Sequence, residues 1–163
     1  ALHAMRGDFR TALGTSIDLV ADFGMVSQRT VQVFGHTAVL LSEDGFVAYD
    51  GSSKKDIGGQ LGALVSPKQE LGFDYQFPRA ATAAVQYACS TGLRKRGWYC
   101  CALESTTDGV NDLWFFLDVA NGLWSIWRGQ AASDMAVDEC QGGEDTWVTV
   151  DYNGYVYVQG RSV

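Results

Sequence analysis

Five tryptophans, Trp98, Trp114, Trp124, Trp127 and Trp147, are the residues of this chain best equipped for binding chemistry. An indole face packs well on the C–H surface of a pyranose ring, so several of them can act as sugar-stacking platforms. The same side chains serve equally as filling between packed sheets. Trp124 and Trp127 stand three positions apart, which on a strand places them on opposite faces and leaves at least one to solvent. Trp98, Trp124, Trp127 and Trp147 are therefore the candidate ligand or partner aromatics.

Other chemistry finds little support. His3 and His36 are the only histidines, and neither belongs to a defensible acid–nucleophile arrangement. No Gly-x-Ser-x-Gly elbow, metal-binding His pair or phosphate-cradling loop occurs. Acids are plentiful, but nothing in their spacing singles out two as a glycosidase pair. Arg6-Gly7-Asp8 matches the tripeptide that integrins recognise and reads here as an ordinary turn. Asp151-x-Asn153-Gly154 and Glu43-Asp44-Gly45 echo calcium loops, yet such a loop needs several more oxygen ligands and an acid downstream; hairpin turns account for both. The chain is read as a non-enzyme, with no catalytic, cofactor or metal residues.

Cys89, Cys100, Cys101 and Cys140 match no zinc spacing. Cys100 and Cys101 are adjacent and point to opposite faces if they lie on a strand. Cys89 and Cys100 could meet across a hairpin turning near Leu93-Arg94, but cross-strand bridges in regular ladders are uncommon, and reduced thiols are expected.

At 163 residues and 47% hydrophobic content the chain can bury a real core in one domain. A formal net charge of −7, with no basic block longer than Arg94-Lys95-Arg96, argues against tight nucleic-acid binding, which needs cations to displace phosphate counterions. An acidic wall could still let a nucleic-acid polymer slide past. No run approaches the apolar length of a membrane-spanning helix. The opening Ala1–Met5 lacks the basic leader and long apolar run of a signal peptide. The absence of an initial Met suggests a processed start or a piece of something longer.

Nineteen glycines against two prolines suit tight hairpins. The clearest unit reads Val31–Phe34, Thr37–Ser42, Phe46–Tyr49 and a short last strand at Lys54–Ile57, punctuated by Gly35-His36, Asp44-Gly45 and Asp50-Gly51. A second unit is expected as Ala83–Cys89, Trp98–Glu104, Asp112–Val119 and Leu123–Arg128. Its breaks are Ser90-Thr91-Gly92, Ser105–Gly109 and Ala120-Asn121-Gly122. Trp114-Phe115-Phe116-Leu117 is apolar on both faces, as in a strand covered on both sides. Half-units follow at the ends: Ala1–Met5 with Ile17–Asp22, and Asp145–Val150 with Tyr155–Val158. The two halves could complete one another. Gln60–Val65 and Ser133–Cys140 read as helical turns, the latter capped by Ser133. Ser66–Pro78 and Gly129–Gly143 read as long, contact-making loops. The fold class is all-β: propeller-like, four-stranded antiparallel blades, two full units plus half-units at the termini, in one domain over 1–163.

The order of elements resembles bacteriophage tail or head–tail joining proteins with propeller-like β domains. The resemblance is carried over about residues 1–128 by Met5-Arg6-Gly7-Asp8 and Gly24–Val31. It continues through Leu40-Leu41-Ser42-Glu43-Asp44-Gly45-Phe46-Val47-Ala48-Tyr49-Asp50-Gly51, then Asn111–Asp118 and Asn121-Gly122-Leu123-Trp124-Ser125-Ile126-Trp127. Gln28, where such proteins often carry proline, and Cys100-Cys101 depart from the pattern. The resemblance implies a structural virion component that docks to other virion subunits or to copies of itself, without catalytic residues. The alternative expectation is a carbohydrate-binding propeller lectin with aromatic pockets, secreted or cytoplasmic. About three blades are too few to close a ring, so the unit is expected to be part of an oligomer or of a longer chain.

Overall fold

The computed structural model describes residues 2–6, 16–21, 25–61, 65, 87–105, 109–139 and 145–159. Their strands form four antiparallel sheets, each a simple meander in which sequential strands pair. Sheet A pairs β1 (Leu2–Arg6) with β2 (Ser16–Ala21). Sheet B runs β3 (Gln32–Phe34), β4 (Thr37–Ser42), β5 (Gly45–Tyr49) and β6 (Lys54–Asp56). Sheet C runs β7 (Cys89–Leu93), β8 (Trp98–Leu103), β9 (Leu113–Asp118) and β10 (Leu123–Arg128). Sheet D runs β11 (Asp134–Glu139), β12 (Asp145–Val150) and β13 (Val156–Gln159).

The all-β class and the first four-stranded unit agree with the sequence. Two segments do not. The first strand of sheet C is Cys89–Leu93, later than the expected Ala83–Cys89, whose residues 83–86 lie outside the described residues. Ser90-Thr91-Gly92, read as a break, is strand. Gly92 lies where sheet B approaches closely: an added Cβ would meet Phe34 Cζ at 3.0 Å and Gln32 Cβ at 3.3 Å, tight contacts that those side chains would have to relieve. The turn falls instead on residues 94–97 and ends on Gly97 at φ +65°, a left-handed conformation that favours glycine. Likewise the described part of Ser133–Cys140 is not helical. Asp134–Glu139 is β11, and the Gly129–Gly143 stretch is therefore no single loop. Met135 is buried and Val137 half-buried while Asp134, Ala136 and Asp138 are exposed, a period of two. Ser133 donates to the carbonyls of Val150 and Asp151 rather than capping a helix. The expected loop Ser66–Pro78 lies outside the described residues.

Sheet C is the middle layer. On one face Tyr99, Cys101, Leu103, Leu113, Phe115 and Leu117 pack with Val39, Leu41 and Phe46 of sheet B. On the other, Cys89, Leu93, Cys100, Ala102 and Trp114 pack with Met135 and Trp147 of sheet D. Burial on both faces is what the unbroken apolar run of β9 requires. The sheets lie closest at their first strands, with β7 beside both β3 and β11. Gln32 Nε2 donates to the carbonyl and hydroxyl of Ser90, both at 3.1 Å. Arg29, in the 3-10 turn Gln28–Thr30 that leads into β3, reaches Asp134 of β11 at 2.7 Å. The sheets thus fan outward from a seam along β3, β7 and β11. Sheet D has three strands, one more than the expected C-terminal half-unit, and among the described residues it shares no strand pairing with sheet A.

Cys89, Cys100 and Cys101 are free and buried. Cys89 stands opposite Ala102 and Cys100 opposite Thr91, so the first two do not face each other. Cys100 and Cys101 do face opposite cores, as their adjacency requires. Cys140 lies outside the described residues. Burial pushes the Cys89 thiol up to about 11 and raises Cys100 and Cys101 as well.

Because the thiolate is the reactive form, Cys89, Cys100 and Cys101 will resist a disulfide-exchange reagent in the native protein and react at once in denaturant, counted by thionitrobenzoate release. Gly92→Ala will wedge sheets B and C apart and cost about 1–3 kcal/mol in urea unfolding, with the denaturant slope unchanged.

Candidate functional site

Three of the four aromatic residues singled out in the sequence, Trp98, Trp127 and Trp147, present their rings to one place, and Trp124 only borders it. Trp98, Trp124, Trp127 and Trp147 all line one open trough of about 370 Å³ between the outer parts of sheets C and D, with Phe116, Leu117, Asp118, Leu123 and Ser125. Strand alternation builds it. Trp98, Phe116, Asp118, Leu123, Ser125 and Trp127 occupy alternate positions of β8, β9 and β10 and share the face that looks toward sheet D. Phe116 stands between Cys100 on β8 and Ser125 on β10, and those two small partners leave space over its ring. Trp147 reaches in from β12.

The rings brace one another. Trp147 is 5.3 Å from Trp114 and 5.1 Å from Phe116, and Phe116 is 4.3 Å from Trp127 between ring centroids. Trp147 is 8% exposed, and its Nε1–H finds no hydrogen-bond partner among the described residues, so packing alone orients it. Trp127 rests against Phe116 and still leaves 54% of its surface in solvent. Trp98 is 43% exposed, with the Arg96 guanidinium 5.5 Å above its ring, a cation–π contact. Trp124 borders the trough from β10, but its ring turns to the opposite face, 4.6 Å from Phe46, and its Nε1–H donates to the Ile57 carbonyl at 2.8 Å. The expectation that Trp124 and Trp127 face opposite ways holds. Phe116, Asp118, Leu123 and Ser125 were missed; the same-face spacing of Trp114 and Phe116 was the signal for the first of them. Trp114 itself is core.

A second, polar cavity of about 270 Å³ lies along the seam, lined by Gln32, Ser90, Thr91, Gly92, Arg94 and residues of β11. The Lys95 backbone N–H donates to buried Asp145 at its margin. The echoes of calcium loops are hairpin turns: Asp151 accepts from the N–H groups of Asn153 and Tyr155, and Gly154 N–H closes onto the Asp151 carbonyl. His36 sits in the exposed β3–β4 turn, and His3 belongs to β1. Among the described residues no three His, Cys, Asp or Glu side chains group for a metal ion, and no helix is long and apolar enough to cross a membrane. Arg6 closes β1, and Gly7-Asp8 lie outside the described residues. No protein-family model and no curated protein matches the chain.

Asp118, at the rim of the trough, also shapes the β9–β10 turn. It accepts from the Asn121 side chain at 2.7 Å and from the N–H groups of Asn121 and Ala120. These bonds, the Asn121 amide foremost, hold its carboxyl below the ordinary 3.8. Asp50 repeats the arrangement with the N–H and hydroxyl groups of Ser53 and Ser52 and is lowered further. At Asp151 burial pushes upward, and the N–H groups of Tyr155 and Asn153 with the Tyr157 hydroxyl outweigh it. Carboxyls with lowered folded-state values add stability that is complete above the unfolded value and lost as pH falls through the folded one. The thermal midpoint will therefore begin to drop below about pH 4 and continue downward on further acidification. A D50N/D118N/D151N triple variant will show a flatter acid limb by circular dichroism.

Proposed function

We propose that this chain is a non-catalytic structural component of a phage virion, at the tail or the head–tail junction. In this reading sheets B, C and D are blades of a propeller-like fold, and the protein works by docking to other virion subunits or to copies of itself. One observation carries the reading: the sheets fan from a common seam of first strands, while the outer face of the last sheet, apolar along β12 and β13 and edged by Asp134 and Asp138 of β11, is left uncovered. Val156 is 63% and Val158 50% exposed, and they share that face with half-buried Val148 and Val150, their partners across β12 and β13. Sheet B, by contrast, is buried on both faces, since Leu40, Val47 and Tyr49 are covered on the side away from sheet C. A sheet of this kind is stable when another layer closes over it. Propellers close with about four to eight blades, so a second copy, or a neighbouring subunit of the same build, supplies what the fan lacks.

The resemblance of Leu40–Gly51 and Asn111–Trp127 to phage joining proteins supports the virion setting. β13 adds a free ladder edge, since it pairs with β12 and with no other described strand, and free edges invite pairing with another chain. Sedimentation will show a species of at least two chains, and V156D/V158D will shift it to one chain while the circular dichroism spectrum is kept. A compact monomer at all concentrations, or absence of the chain from purified virions by mass spectrometry, would sink the proposal.

A further inference from the structure

We propose that the trough between the outer parts of sheets C and D is a carbohydrate site that takes a neutral pyranose of a glycan chain. The inference stands on the trough alone and does not need the docking role.

Trp127 is exposed and braced from one side: Phe116 backs its ring, and Trp147 and Trp114 pack on Phe116 in turn. A platform held in this way loses little freedom when a ligand lies on it, so more of the contact energy remains for binding. The electron-rich face of an indole attracts the polarised C–H groups of a sugar ring, and its flat extent matches one pyranose face. The rim supplies what the edge of a sugar needs: Asp118 retains acceptor capacity beyond the bonds that shape its turn, and Ser125 offers a hydroxyl. Apolar walls with a few polar groups, in a cleft of about 370 Å³, have the size and character of small-ligand sites rather than of a protein interface.

Charge narrows the ligand class. The carboxylate of Asp118 stays ionised, its value held down by Asn121, and the protein carries a net charge of −7. A sialylated or phosphorylated sugar would meet repulsion at Asp118, whereas a neutral hexose would find an acceptor for its hydroxyl protons there.

The test is a glycan array of neutral and acidic oligosaccharides, followed by titration of intrinsic tryptophan fluorescence with maltohexaose, cellohexaose, chitohexaose and any array hit. At least one neutral oligosaccharide will bind and shift the emission. Trp127→Ala will weaken it roughly fivefold to tenfold, the worth of one stacking contact; Trp127→Phe will weaken it less. Tyr155→Ala, on an exposed turn outside the trough, will leave it unchanged, and the far-ultraviolet spectra of all variants will confirm folding. No binding across the array, exclusive binding of acidic glycans, or binding that survives both Trp98→Ala and Trp127→Ala would overturn the proposal. So would a change of oligomeric mass in these two variants without any sugar response, which would mark the trough as a protein contact. The V156D/V158D variant separates the two readings: its sedimentation reports on docking, and its sugar titration on the trough.

Discussion

Burial of sheet C on both faces is the constraint on which the rest of the structure depends. An ordinary antiparallel sheet spends one face on the core and gives the other to water, so its strands alternate apolar and polar residues. β8 and β9 cannot do this. Tyr99, Cys101, Phe115 and Leu117 fill one side, Cys100, Ala102 and Trp114 the other, all at or near zero exposure. Such a sheet is insoluble alone and demands a layer on either side, which fixes the positions of sheets B and D. Polar groups trapped at its ends then need internal partners. Asn111, 1% exposed at the entry to β9, donates from its side chain to the carbonyls of Tyr87 and Ala132. Its own carbonyl accepts from Trp114 Nε1 and from the Ala132 backbone N–H. On the other side, the Tyr99 hydroxyl donates to the Thr30 carbonyl at 2.9 Å and anchors the approach to sheet B. Loss of either bond would leave buried groups unpaired, the costly direction for a hydrogen bond to fail.

The acidic composition has a structural use beyond solubility. Asp50, Asp56, Asp118 and Asp151 each stand at or just beyond the end of a strand, and each folds its carboxylate back onto N–H groups two to four residues ahead. The side chain thereby imitates the carbonyl of a backbone turn and satisfies donors that the ladder has just released. Four-stranded meanders need many such turns, and a chain that builds them with aspartate accumulates negative charge as a consequence. The net charge is then partly a signature of turn chemistry, and it need not be read as an adaptation to a basic partner.

These two features also show what could be read from the residues. Sheet B was legible because its signals are local: β-branched and apolar runs, separated by Asp-Gly and Gly-His, set hairpins within a few residues. β9 was legible as a doubly covered strand for the same reason. The two failures were of another kind. Gly92 resembles a turn glycine in every local respect, and only Phe34 and Gln32, about sixty positions earlier, make it a strand glycine. Met135 and Val137 alternate in a segment whose alanines and Ser133 suggest a helical turn. The sheet C core against which they pack decides the matter, and that core is assembled from distant strands. The site was half legible on the same principle. Its tryptophans announced themselves by type, but their convergence depends on the register of Phe116 with Ser125 and Cys100 and on the approach of sheet D, neither of which is written locally.

The trough and the uncovered face of sheet D can coexist because they belong to opposite sides of that sheet. Trp147 and Thr149 turn inward toward sheet C, whereas Val148, Val150, Val156 and Val158 turn outward. A further layer docking on the outer face would cover the valines without entering the trough, which opens between the outer parts of C and D. It would also stiffen β12, the strand that holds Trp147 against Phe116. Docking and ligand recognition, as proposed, would in this way be mechanically linked without competing for surface. The direction of the link follows from the geometry: a layer that restrains β12 lowers the freedom of Trp147, and through Phe116 that of Trp127, so assembly would pre-organise the aromatic platform rather than obstruct it.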